Sequence, residues 1–244
     1  MEGLFAAATG MSAEEQQLNT IANNLANVST DGYHAQHVAF SDLLYNEVNA
    51  AGSDTTTGAG AAAQVVGDSV QPGALRQTGR PLDLAIDGDG FFELKRPNGQ
   101  LVLTRDGHFT VDAQRRLVSA GGALVNPPIT LPAGASEAAV TIGADGTVRA
   151  GAKRLGTISL VNVPAPDKLL SVGEGSFAVT PASGAVSAAH SATLTQGSLE
   201  GSDVQVASEM ATMVSAQRGY QMGSSAVQME GQMMSIADQI VTQA

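Results

Sequence analysis

The sequence predicts an α+β protein: long N- and C-terminal helices forming a coiled-coil domain, with a central antiparallel β domain between them. Three observations predict it. An apolar row with a seven-residue period opens the chain, a longer one closes it, and the residues between alternate in polarity and are punctuated by turn dipeptides.

The first helix is expected from about Leu4 to Ser29. Leu4, Met11, Leu18 and Leu25 stand seven apart, and Ala7, Glu14, Ile21 and Val28 follow each by three, an a/d seam broken only at Glu14. Thr30, Asp31 and Gly32 supply the stop. The last helix is expected from about Asp203 to Val241, with Asp203 as N-cap. Val206, Met213, Tyr220, Val227, Met234 and Val241 repeat every seven residues, and Ala216, Gly223 and Ala237 add small residues three places after members of that row. Small side chains let helices approach closely.

Residues 49–63 are small and polar without periodicity and read as part of an extended connector, 33–63. From residue 64 to 202 a β-rich domain is expected. Alternation shows in Leu82–Ile86, Phe92–Leu94 and Leu101–Thr104, with further strands at Val140–Ile142, Ile158–Val163 and Ser176–Val179. Asp87-Gly88-Asp89-Gly90, Asn98-Gly99, Asp106-Gly107 and Asp145-Gly146 mark turns, and Asn98-Gly99 is the strongest hairpin signal. The helical ends, 1–32 and 203–244, would then form one domain.

Charge separates these regions. The chain is −11 overall; no Lys or Arg precedes Arg76, and after Lys168 only Arg218 is basic. An acidic chain is a poor partner for nucleic acid or anionic lipid, so neither is expected. There is no basic, apolar leader of secretory type and no apolar run long enough to span a bilayer, so no membrane insertion is expected. The chain has no cysteine, which rules out disulfides and thiolate metal sites. His34 and His37, three apart, lack the spacing of a metal site, and Asp87-Gly88-Asp89-Gly90 lacks the further ligands of a calcium loop. No nucleophile elbow, Walker or dinucleotide motif occurs, so no catalytic residue, metal or cofactor is expected.

Heptad rows of this length favour helix–helix packing over burial on the chain's own β domain, and a two-helix hairpin would leave apolar surface wet. Neighbouring copies are the natural cover, and contacts that do not close generate helical tubes. Asn19, Asn23, Asn24 and Asn27 are unusual in a helix. They read equally as fraying near the helix end or as amides that fix register between helices.

Several segments also resemble the bacterial flagellar rod and hook protein family. Asn23-Asn24-Leu25-Ala26-Asn27 continuing to Gly32-Tyr33 is one; Leu82–Phe92, with Gly88, Gly90 and Phe91, is another. Thr104-Arg105-Asp106-Gly107-His108-Phe109, Gln196–Val204, and Glu209-Met210 through Gln217-Arg218-Gly219-Tyr220 complete a collinear set over the whole chain. The resemblance implies a non-enzymatic rod subunit of the flagellar basal body, self-associating through its terminal helices into a helical tube that transmits torque. It implies other rod and hook subunits as partners, and passage through the flagellar export apparatus without a cleaved signal. Chain length points to the distal-rod branch or its rod-junction relative. Two departures stand out: His34-Ala35 after Tyr33, where a basic residue is common, and Gly219 and Gly223 where larger residues are usual. The alternatives are a monomeric β-domain module binding a glycan or surface on a helical stalk, or a hook-type axial subunit.

Overall fold

The computed structural model describes every residue except Met1, Leu44, Tyr45, Ala51, Gly52, Gly58, Ala59, Val70, His190 and Ala244. Within its elements the side chains of residues 2, 46–50, 53–57, 237, 238 and 240–243 are not described. Helix α1 spans Glu2–Ala26 and helix α2 spans Val206–Gln243, around a central antiparallel β region. The α+β class is as expected.

Helix α1 ends three residues early. Thr30 N donates to Asn27 O at 3.0 Å, Thr30 Oγ1 donates to Asn27 Oδ1 at 3.2 Å, and Gly32 reverses the chain at φ 67°. Val28 therefore lies in the turn beyond the helix. Asp203 does not cap α2. Its Oδ1 accepts from Ala35 N at 2.7 Å, and the first helical bond runs from Glu209 N to Gln205 O.

Contacts divide the chain into two compact units. One holds residues 1–26, 36–66 and 205–244. Here α1 and α2 pack together, antiparallel: Gly3 lies by Glu230, Met11 by Gly223, Glu14 by Gly219, and Asn24 by Glu209. Strand Gln36–Asp42 pairs with Ala61–Asp68, and Asn46–Ala50 pairs antiparallel with Ser53–Thr57 in a register that sets Asn46 opposite Thr57. The segment expected as a connector is thus strand-bearing. A ladder is made by backbone groups, so the small polar side chains of 49–63 carried no periodic trace of it.

The second unit holds residues 27–35 and 67–204. Residues 27–32, expected with the helical ends, belong here because Gly32 N donates to Glu200 O at 2.8 Å and Asp31 pairs with Arg76. Among the described residues its largest sheet has nine strands. At its centre Phe91–Lys95 pairs antiparallel with Leu101–Thr104 through the Asn98-Gly99 turn, and also with Leu124–Val125 and Leu160–Asn162. Leu84–Asp87 pairs with Thr193–Gln196, and Val140–Ile142, Thr147–Ala150 and Lys153–Thr157 form a three-stranded sheet. The core gathers Leu84, Ile86, Phe92, Leu94, Val102, Phe109, Leu117, Val125 and Ile129, with Phe92 and Phe109 edge to face at 5.1 Å.

Candidate assembly site

Helix α2 is weak by itself. Gly219, Gly223 and Gly231 interrupt it, and each costs roughly 1 kcal/mol of helix propensity relative to Ala. Two of them are explained by α1. A Cβ on Gly219 would lie 2.5 Å from Glu14 Oε1, and one on Gly223 would lie 2.6 Å from Met11 Cγ. The glycines form a groove into which α1 side chains fit, with Ala216 buried beside it at 2 % exposure. Glu14, the break in the first heptad row, lies over Gly219, and its Oε2 is enclosed with no hydrogen-bond partner among the described residues.

The expected seam is only partly covered. Ile21 is buried at 4 %; Leu4, Met11, Leu18, Leu25, Val28, Met213 and Val227 are half-buried. Val206, Tyr220 and Met234 are about two-fifths exposed, and the Val241 and Ala237 side chains lie outside the described residues. A second apolar row, Met222, Met229, Met233 and Ile236, is exposed by 55–69 % on another face of α2. The heptad count from Val206 did not include it, although Met spacing of seven and four carries the signal.

Asn24 settles what the asparagine cluster does locally. It is 1 % exposed; its Oδ1 accepts from Gln36 N at 2.9 Å, and its Nδ2 donates to Gln36 O at 3.0 Å and to Glu209 Oε1 at 3.3 Å. One amide thus ties α1 to the next strand and to the first turn of α2. Asn23 is exposed and Asn27 sits in the turn.

In the β unit one ion pair joins the remaining motif segments. Arg105 Nε donates to Glu200 Oε2 at 2.7 Å, both side chains being almost fully buried. The same guanidinium donates to Gly90 O at 3.0 Å and Gly88 O at 3.2 Å, and lies 5.9 Å from the Phe91 ring centroid. A cation already occupies the carbonyls of the Asp87-Gly88-Asp89-Gly90 turn. Glu200 Oε1 accepts from Gly73 N at 2.8 Å, and Gln196 ties Pro81, Val140 and Ile142 through their backbones. Gly107 is obligatory, since a Cβ there would meet Leu84 O at 1.7 Å. Sequence alone does not point to this pair; its trace is a charge at the end of an apolar strand stretch, in Leu103-Thr104-Arg105 and in Leu199-Glu200.

His34 lies against this pair. Its Nε2 is 4.0 Å from Glu200 Oε1 and its Nδ1 is 3.8 Å from Asp203 Oδ2, beyond hydrogen bonding. Burial holds its pKa below the ordinary value, against the opposing pull of the Glu200 and Asp203 charges. Burial likewise raises the Asp106 carboxyl, whose Oδ1 accepts from His108 N at 2.9 Å.

Three family models match in chain order: "Flagella basal body rod protein" at residues 4–34, "Flagellar hook protein FlgE/F/G D1 domain" at 85–150, and "Flagellar basal body rod FlgEFG protein C-terminal" at 195–240. The flagellar basal-body rod protein FlgG of Borreliella burgdorferi is 34% identical over 100% of both chains. The chain belongs to the flagellar basal-body rod protein family. FlgG of Caulobacter vibrioides is 33% identical over 98% of this chain and 99% of its own, and FlgF of Mesorhizobium japonicum is 31% identical over 90% and 89%.

As a rod protein it is a structural subunit of the flagellar basal body, assembling with other rod and hook subunits. Among the described residues no helix is long and apolar enough to cross a membrane. The rod-family matches cover both helices of the pair and both halves of the buried ion pair, since Arg105 lies in the second and Glu200 in the third. Gln217, Arg218 and Tyr220, the last family motif, stand exposed on α2.

Proposed function

We propose that this rod subunit polymerises through α1 and α2, which complete a coiled-coil domain only when neighbouring copies cover the rest of their apolar faces. The observation that carries the reading is the unsatisfied apolar surface of α2: Met222, Met229, Met233 and Ile236 are each more than half exposed, outside the groove that holds α1. Such a face exposed in water marks an interaction surface. The resulting polymer is a helical tube transmitting torque, with seam residues Leu4, Met11, Leu18, Ile21, Leu25, Val206, Met213, Tyr220, Val227, Met234 and Val241. Full-length matches to relatives named flagellar basal-body rod protein FlgG support the rod as that polymer. Self-association and delivery by the flagellar export apparatus belong to the same reading.

No catalysis belongs to it. The cavity of about 280 Å³ beside His34 is lined by Phe91, Leu169, Phe177 and Arg105, and that guanidinium is committed to Glu200 and two carbonyls. The test is Val227→Asp. A carboxylate in the half-buried seam should abolish polymerisation of the full chain, read by sedimentation and electron microscopy, while the β unit stays folded. Normal polymers from that variant would overturn the seam.

A further inference from the structure

The helical unit poses an electrostatic problem for any contact between copies. Residues 1–26, 36–66 and 205–244 carry nine acidic side chains and a single basic one, Arg218. Helices packed copy against copy bring those acids together, and like charges at close quarters weaken the contact. Within one chain Arg218 relieves none of this. It is exposed, and among the described residues it makes no hydrogen bond or ion pair.

Its position explains why. Gly219 faces α1, and a helix turns about 100° per residue, so Arg218 is rotated out of the groove. It stands four residues before Met222, at the head of the exposed methionine row. Helix α1 shows the mirror situation. Glu14 is turned onto Gly219, so its neighbour Glu15 is rotated outward; it is exposed and likewise unpartnered among the described residues. The outer face of α1 around Glu15 carries short side chains, with Ser12, Asn19 and Ala22 exposed. Flexible methionines pack readily on a surface of that kind.

We infer that Arg218 of one copy pairs with Glu15 of a second copy, docking the outer face of α2 on the outer face of the neighbour's α1. This rests on the proposed polymerisation and names its contact. The contact uses two different faces, so it is heterologous, the class of contact that builds a helical filament wherever its rotation does not close into a ring. It places the unit's one cation where acidic helices meet, leaving the α1–α2 groove within each chain intact.

The experiment is a charge swap in the full chain, with the critical concentration for polymerisation read by sedimentation. Arg218→Glu and Glu15→Arg should each raise it, by about 3- to 10-fold for loss of one partly desolvated pair. The double variant Arg218→Glu/Glu15→Arg keeps the wild-type net charge and should recover to within about 2-fold. Gln228→Glu, exposed on α2, adds negative charge elsewhere and should change little, which separates pairing from general repulsion. Arg218→Glu assembling like wild type, or a double variant as poor as either single, overturns the pairing while leaving polymerisation standing. A wild-type chain that forms no polymer overturns the functional reading itself.

Discussion

Met11 occupies the place a Gly223 side chain would take: a Cβ there would sit 2.6 Å from Met11 Cγ and within 3.7 Å of Ala7 O. The groove of α2 is shaped for α1. Gly223→Leu should therefore force the helices apart and weaken assembly, read as a raised critical concentration. Among the described residues nothing lies within 4 Å of a notional Gly231 Cβ, so Gly231→Ala should stabilise α2 by up to about 1 kcal/mol. Gly219→Ala should fall between, because the obstacle is the mobile end of Glu14.

The Arg105–Glu200 pair should be costly to break and inexpensive to replace. Glu200→Ala leaves a buried guanidinium without its anion and Gly73 N without its acceptor, and should cost roughly 3–5 kcal/mol in urea unfolding of the β unit. An Arg105→Met/Glu200→Leu double variant should lose clearly less than the two single losses added together. Additive losses would mean the two side chains act independently.

Asn24→Ala should detach α1 from the strand Gln36–Asp42. The variant loses both bonds to Gln36 and the one to Glu209, all from a side chain 1 % exposed. The expected cost is about 1–3 kcal/mol, with faster amide exchange at Gln36 and in the last turn of α1. Asn24→Asp should fare no better, because it removes the donor and sets a carboxylate against Gln36 O and Glu209.

Acid should loosen the β unit at His34. The folded pKa lies below the ordinary 6.5, so the unfolded chain takes up its proton first as pH falls. Stability contributed by the neutral imidazole is thus present above 6.5 and lost as pH descends toward the folded value. Glu200, Asp203, Arg105 and Asp68 all act on it. Asp106 acts with the opposite sign: its raised pKa lets the folded state take up the proton first, so stability is gained as pH falls from above the ordinary carboxylate value toward it. His34→Phe should therefore flatten the stability profile just below pH 6.5, measured by urea midpoints.

Much of this was legible in the chain because helices and hairpins declare themselves locally. The seven-residue rows gave both helices, and Asn98-Gly99 gave the turn that sets Lys95 opposite Leu101. The ladder over 46–57 was hidden because its side chains are small and its pairing is made by backbone. Asp203 looked like a helix cap because local grammar does not show that Ala35 N competes for it. Arg105 and Glu200 stand 95 residues apart, so their pairing is a property of the folded sheets alone. On α2, a period counted from Val206 picks a row that is half-buried at Met213 and Val227 and about two-fifths exposed at Val206, Tyr220 and Met234, and it passes over the face that carries Met222 and Met229.

The central claim is that assembly is completed on the terminal helices. Hydrogen exchange of the full chain, compared between dilute subunit and polymer, tests it most directly. The account predicts that protection gained on polymerisation is concentrated in α1 and α2, above all at Met222 to Ile236, while the strands around Phe92 and Phe109 exchange alike in both. Polymers whose new protection falls on the β unit, with the two helices unchanged, would contradict it.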